Sequence, residues 1–242
     1  MPPALPPYPA RAALLTGVRD TIPLLVGSWP FGLIFGALAV TSGFSPLGAA
    51  AMSAIVFAGS AQFIAVGLVA AGTSAAVILL ATLVVNLRHM LYAATLAPQL
   101  NRLPTRWLLP LGFWLTDESF VVAAKHFEET KTSTNKPWYL LGSEIAMYAN
   151  WQAATWVGIV AGQQIKDPQS WGLDFAMVVT FIGMLVPMIK DRPSLVAALA
   201  AGGAALLASG LPHQLGLLLA ALVGIAAGVL ADHLWPETTG KP

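Results

Sequence analysis

Cysteine is absent from this 242-residue chain, and charged residues are scarce. The absence of thiols excludes disulfides, thiolate catalysis and cysteine-ligated metal sites. Only 10% of the residues are charged and 57% are hydrophobic, whereas a water-soluble domain carries about 25% charged residues. The composition therefore predicts a protein that folds in a lipid bilayer.

An excess of basic charge is also missing, since twelve Lys and Arg residues are balanced by eleven Asp and Glu residues. Without a basic surface, we expect no binding to nucleic acid through phosphate neutralisation. The sequence contains no H-E-x-x-H, G-x-S-x-G or Walker A pattern, and these are the motifs that would indicate zinc hydrolysis, a serine nucleophile or direct ATP use. We therefore predict no enzyme activity, no metal and no cofactor.

Several apolar runs are long enough to cross a membrane, which takes roughly 20 residues per helix. They predict an all-α, polytopic transmembrane bundle of about seven or eight spans with broken or re-entrant segments. Residues 1–20 are expected to form a Pro-rich cytoplasmic tail, 21–234 one transmembrane domain and 235–242 a C-terminal tail. The predicted spans are 21–41, 46–71, 75–97, 107–126, 138–162, 172–189, 194–210 and 213–232.

The orientation is predicted from Lys and Arg in the connecting segments, because positive flanks stay on the cytoplasmic side. With eight spans and a cytoplasmic N-terminus in the inner membrane, eight of these residues lie inside, and Arg102, Arg106 and Lys166 lie outside. The segment 100–106 is the main exception to the rule, because it carries two of the three basic residues on the outer side. A re-entrant second segment would reverse the rest of the chain and leave the distribution nearly even.

Glycine and proline interrupt the first two predicted spans, at residues 27–32, at Gly36 and at Ser45-Pro46. One interpretation is close helix packing through Gly32 and Gly36, and the other is a broken helix that lines a cavity. The segment 57–63 is similarly ambiguous. Its polar side chains can bond a neighbouring helix, or the segment can form an unwound turn whose free N–H groups attract an anion.

Charged residues within apolar spans are the strongest functional signal, because a charge at the bilayer centre costs at least about 2.5–3.5 kcal/mol. The third predicted span contains Arg88 and His89, and the fourth contains Asp117 and Glu118. If a loop at 98–106 joins these spans as a hairpin, Arg88 and Asp117 lie roughly 14 and 15 Å from the same membrane face. We therefore predict that the two charges share a depth.

Two roles compete for this arginine and acid. They can form a structural ion pair, or they can bind a zwitterion whose carboxylate meets Arg88 and whose ammonium meets an acid. One arrangement can serve as the ion pair when empty and as the site when occupied. The predicted substrate-binding residues are Arg88, Asn86, Asp117, Gln62, Ser60 and Trp114, and the predicted proton-coupling residues are Asp117, Glu118, Glu144 and His89.

Four sequence phrases stand out: Gly32-x-x-x-Gly36, Met52-Ser53 followed by 56–63, Asn86-Leu87-Arg88-His89-x-Leu91-Tyr92, and Thr116-Asp117-Glu118. Together they resemble the AzlC family, the large subunits of branched-chain amino acid exporters. The resemblance runs from about Gly17 to Ile189. It implies a secondary transporter that exports valine, leucine, isoleucine and, as a further candidate, methionine, beside a small AzlD-type membrane subunit. The alternative is a non-transporting membrane subunit that captures substrate or stabilises a larger complex.

Overall fold

The protein is all-α throughout the residues that the computed structural model describes, which are 9–100, 103–130, 135–164, 191–211 and 215–235 with isolated positions between 182 and 189. This confirms the predicted fold class. Most of the predicted span 172–189 and the predicted tail 235–242 lie outside the described residues. The helices are α1 (Ala10–Thr41), α2 (Pro46–Val56), α3 (Gly59–Ala70), α4 (Ala75–Leu100), α5 (Thr105–Trp114), α6 (Asp117–Glu129), α7 (Lys136–Gln163), α8 (Arg192–Leu207) and α9 (Leu215–Leu234).

Helices α1 and α4 are each long and apolar enough to cross a membrane. Helix α1 is continuous although Pro23 and Pro30 lie inside it, so the break that the sequence suggested at residues 27–32 is absent. It begins at Ala10, within the range 1–20 that was predicted as a cytoplasmic tail.

Helices α1 and α7 pack in parallel at close range. Gly17 of α1 faces Tyr139 early in α7, and Gly36 faces Thr155 near the other end of both helices. Small residues let two backbones approach closely, so Gly36 serves packing here rather than cavity lining. We call the end of the bundle that contains the N-termini of α1 and α7 the near end, and the opposite end the far end.

Helix α4 runs antiparallel to α1 and α7. The Lys136 Nζ at the start of α7 donates a hydrogen bond of 2.6 Å to Gln99 Oε1 in the last turn of α4. Leu100 packs in one apolar cluster with Ala13 and Tyr139. Helix α4 therefore ends at the near end of the bundle.

Helices α2 and α3 form a re-entrant hairpin from the far end. Ser45 caps α2 by accepting the Gly48 N–H at 3.0 Å, and the helix ends at Phe57, whose φ of 40° is left-handed. Helix α3 then returns along α4, with Ser60 bonded to Arg88 and Ala70 close in sequence to the start of α4 at the far end. The predicted span 46–71 thus enters and leaves at one end.

Helices α5 and α6 form a second re-entrant hairpin, from the near end. Along α5, the Trp107 ring lies 4.8 Å from that of Trp138, and the deeper Trp114 ring lies 5.8 Å from that of Tyr148. Helix α6 returns until Phe127 packs against Tyr139 at the near end. The expectation that residues 107–126 run from one end to the other is therefore wrong.

The two reversals correct the predicted sidedness of the two connections that flank α4, the one at 71–74 and the one before α5. Each hairpin returns the chain to the end from which it entered, whereas a crossing span would have carried it to the other end. The predicted and observed sides therefore differ between α3 and α5 and agree again after α6. The start of α5, with Arg106, consequently lies at the same end as the N-terminus of α1, not opposite to it as predicted. Arg102 lies outside the described residues.

Helices α8 and α9 form an antiparallel pair that packs mainly on itself within the described residues. A Cβ at Gly224 would lie 2.8 Å from the Ala201 Cβ, and a Cβ at Gly228 would lie 3.0 Å from the Ala197 Cβ. These small-residue contacts let the backbones of α8 and α9 approach closely.

Candidate functional site

A cavity of about 210 Å³ lies where the tips of the two re-entrant hairpins meet α1, α4 and α7. Most of its wall is apolar, which suits an aliphatic ligand group. Aromatic side chains also pack around it, since the Phe35 ring stacks on that of Trp151 at 6.3 Å. The apolar part of the wall is formed by Leu24, Phe31, Phe57, Phe63, Met147 and Trp151.

Arg88 connects both hairpin tips across this cavity. Its Nη1 lies 2.8 Å from Asp117 Oδ2 on the α5–α6 hairpin, with the two side chains 22% and 39% exposed. Its Nη2 donates a 2.7 Å hydrogen bond to Ser60 Oγ on the α2–α3 hairpin. The prediction that Arg88 and Asp117 share a depth is confirmed.

The α2–α3 tip presents a helix N-terminus to the cavity. Gly59 and Ser60, the first residues of α3, line the wall, and the N-cap Ala58 supplies no side-chain hydrogen bond. The first intrahelical bond of α3 runs from the Gln62 N–H to the Ala58 carbonyl at 2.9 Å. Free N–H groups and the positive end of the helix dipole favour an anionic group at this position.

The α5–α6 tip presents a second helix N-terminus, but this one is capped. The Thr116 side chain accepts the Ser119 N–H, and the Ser119 side chain in turn accepts the Thr116 N–H. Asp117 and Glu118 occupy the first turn, where the helix dipole stabilises negative charge. The Tyr92 hydroxyl donates a hydrogen bond to Asp117 Oδ1, so the carboxylate is held from two sides.

Of the predicted site residues, five line the cavity. They are Ser60, Arg88, His89, Asp117 and Glu118. The His89 Nδ1 lies 3.2 Å from the Asn86 carbonyl oxygen, which fixes the ring orientation.

Four other predicted residues lie outside the cavity wall. Trp114 packs against Tyr148 instead, and Asn86 has a buried Oδ1 with no hydrogen-bond partner among the described residues. Gln62 and Glu144 are fully buried, and their side-chain polar atoms also have no such partner. Because side chains three and seven residues apart share a helix face, Glu144 lies on the same face of α7 as the wall residues Met147 and Trp151.

Tyr92 was not predicted as a site residue, although it contacts Asp117 directly. It follows Arg88 by four residues in α4, and side chains at that spacing lie on one helix face. That spacing is the sequence signal that would have identified it. Met147 carries no comparable signal, because apolar side chains are common throughout an apolar span.

A family model described as AzlC protein matches residues 23–165, more than half of the chain. The chain belongs to the AzlC family. The matched range begins at Pro23 in α1 and ends beyond α7, so it includes every helix that lines the cavity and excludes α8 and α9.

Relatives of this AzlC-family chain are named as membrane proteins. Inner membrane protein YgaZ of Escherichia coli is 27% identical over 98% of this chain and 96% of its own length. An uncharacterised membrane protein of Archaeoglobus fulgidus is 32% identical over 93% and 94% of the two chains. The branched-chain amino acid transport protein AzlC of Bacillus subtilis is 27% identical over 72% of this chain and 67% of its own length.

No solved structure matches this AzlC-family chain. The apolar helices α1 and α4 and the relatives named as membrane proteins together indicate an all-α membrane protein.

Proposed function

We propose that the chain is a permease that exports branched-chain amino acids from the cytoplasm. The name of the Bacillus subtilis relative supports this proposal. The single structural observation that carries it is the Arg88–Asp117 pair at 2.8 Å beside an aliphatic and aromatic wall. A small aliphatic zwitterion needs opposite charges next to an apolar surface, and this cavity supplies both.

The substrate carboxylate would bind between the Arg88 guanidinium and the free N-terminus of α3, because both offer hydrogen-bond donors to an anion. The ammonium would bind Asp117 or Glu118. The side chain would then contact Phe63 and Met147. The cavity of about 210 Å³ is smaller than the roughly 300–1,000 Å³ of sites for drug-sized ligands, which suits a substrate of amino-acid size.

The near end would face the cytoplasm, in a chain that crosses the inner membrane several times. Supporting this, the described residues at the near end include Arg11, Arg19, Arg106, Lys125 and Lys136. The far-end connections at 42–45 and 71–74 contain no Lys or Arg. Positive residues are retained on the cytoplasmic side.

Binding to purified full-length chain tests the proposal. Leucine, isoleucine and valine should raise the melting temperature in detergent, because a ligand that binds only the folded state stabilises it. Alanine, aspartate and lysine should produce a much smaller shift, since none fills the apolar wall while matching both charges. Equal shifts with all six amino acids would contradict a branched-chain site.

Proteoliposomes test transport and the need for a partner. We propose that a small AzlD-type membrane subunit works with this chain, as the family resemblance implies. Co-purification with the tagged full chain would identify such a subunit. Labelled leucine efflux that requires both chains would support the complex. Leucine binding without efflux, even with the subunit present, would favour the alternative of a substrate-capturing subunit.

Energy coupling is proposed to involve protons carried by Glu144, Asp117, Glu118 or His89. Glu144 is the first candidate, because it is fully buried and has no hydrogen-bond partner among the described residues. Asp117 is a weaker candidate while Arg88 and Tyr92 hold it.

Replacing Glu144 with glutamine should abolish the response of leucine efflux to a proton gradient while leaving leucine counterflow within about threefold of the original rate. Counterflow needs no net proton movement, and the neutral amide keeps the shape of the buried side chain. Flux measured in proteoliposomes with and without a pH gradient checks this. Glu128→Gln is the matched control, because Glu128 is exposed on α6. Gradient-driven flux that survives Glu144→Gln would rule out Glu144 as the carrier.

A further inference from the structure

Two consecutive units of the chain share one helical plan. The first consists of α1 and the α2–α3 hairpin, and the second of α4 and the α5–α6 hairpin. From the ends of α1 and α4 onward, corresponding boundaries are separated by 58 or 59 residues, whereas the two helix starts, Ala10 and Ala75, are 65 residues apart. The matched boundaries are Thr41 with Leu100, Pro46 with Thr105, Gly59 with Asp117, and Ala70 with Glu129.

The two units run in opposite directions. Helix α1 leads to the far end and is followed by a hairpin from that end, whereas α4 leads to the near end and is followed by a hairpin from there. Units of this kind are inverted-topology repeats, which place a site at their interface and allow it to open alternately to the two sides. The cavity lies at this interface, between tips 57–60 and 115–118.

We infer that the two hairpins are the two gates of an inverted repeat, and that Arg88 holds both gates closed by bonding Ser60 on one tip and Asp117 on the other. This inference rests on the proposed transport function. A substrate carboxylate that binds the guanidinium competes with Asp117 and Ser60 for the same N–H groups. Occupancy of the site therefore releases the tips.

Arg88 holds the two tips with unequal strength. The near tip is held by a charged pair and by the Tyr92 hydroxyl, whereas the far tip is held to Arg88 by one hydrogen bond from Nη2 to Ser60. Hydrogen bonds between two charged groups are stronger than those to a neutral hydroxyl. A substrate that takes Arg88 away from both tips therefore removes the stronger bond from the near tip, and it should increase opening toward the near end.

Because the chain contains no cysteine, introduced cysteines are the only thiols that a reagent can label, and each gate can be tested with them. Gly27→Cys is the reporter, because Gly27 lines the cavity and a Cβ there meets nothing within 4 Å. Ser53→Cys with Thr155→Cys fixes the far hairpin to α7, since the two hydroxyl oxygens lie 3.0 Å apart. Trp107→Cys with Trp138→Cys, joined by a short bifunctional thiol reagent, fixes the near hairpin to α7 across a ring separation of 4.8 Å.

A membrane-impermeant maleimide is then applied to either face of sealed vesicles. With the far hairpin fixed, we expect the reporter to be labelled from the near face only, and with the near hairpin fixed, from the far face only. Without either cross-link, leucine should raise near-face labelling at least threefold. Cleaving the far disulfide should restore labelling from the far face, which shows that the variant is folded.

Labelling from both faces with either hairpin fixed would overturn the inference, and so would an unfixed protein that is labelled from neither face. The fixed-hairpin labelling needs no substrate. A protein that shows the one-sided labelling but is unaffected by leucine would therefore retain the two gates and lose the proposed function.

Discussion

Replacing Arg88 with methionine is expected to weaken leucine binding at least tenfold and to abolish transport. A hydrogen bond to a charged group contributes about 1.5–3 kcal/mol, and about 1.4 kcal/mol corresponds to a factor of ten in affinity. Methionine keeps an unbranched apolar chain but cannot donate to a carboxylate. Calorimetry of leucine binding in detergent and labelled efflux from proteoliposomes measure the two effects. Arg11→Met is the control, because Arg11 is exposed at the near end, far from the cavity.

The double variant Arg88→Met with Asp117→Asn separates the two roles of the pair. Removing Arg88 alone leaves the Asp117 charge without its partner, which costs stability. The neutral asparagine should recover most of the melting temperature lost in the single variant, while leucine affinity stays at least tenfold reduced. Recovery of both stability and binding would mean that the pair is structural and that the substrate binds elsewhere.

Replacing Gly158 with alanine is expected to lower the melting temperature by about 10 °C. The added Cβ would lie 2.0 Å from the Leu33 carbonyl oxygen of α1, and neither backbone can yield without separating α1 from α7. Overpacking costs typically about 1–3 kcal/mol and occasionally more, and a clash with a backbone atom lies at the upper end of that range. In a chain of this size, 1 kcal/mol corresponds to roughly 2–4 °C. Thermal unfolding in detergent measures the change.

Gly202→Ala is the matched control for this substitution, because Gly202 is also helical and a Cβ there meets nothing within 4 Å. Alanine is a better helix former than glycine, so the control should be neutral or slightly more stable. Similar melting temperatures for the two variants would contradict the close contact between α1 and α7.

The shared depth of Arg88 and Asp117 was predictable because it required only one local assumption, a hairpin at the loop 98–106. The depth of each residue follows from its number of residues to the loop that joins their helices, because the rise per residue of a helix is constant. The result holds whether the helix after the loop crosses the bundle or turns back after Asp117. The break near Phe57 was likewise visible in the run of small and polar residues at 57–63.

The reversal at each hairpin tip was not predictable in this way. Helix α3 turns back because it packs along α4 and bonds Arg88 through Ser60. Helix α6 turns back because Phe127 and His126 pack against Tyr139. These contacts join side chains on different helices, and the hydropathy of a segment is the same whichever way it runs.

The amino-acid sequence by itself therefore determined that this chain is an all-α membrane protein of the AzlC family with an arginine and an acid at one depth. These properties depend on composition, helix rise and local motifs. Tertiary structure alone decided that residues 46–70 and 105–129 are hairpins from opposite ends, and that Arg88 bonds both tips. The direction of a helix after a break depends on the surface against which it packs, and that surface is formed only when the whole chain folds.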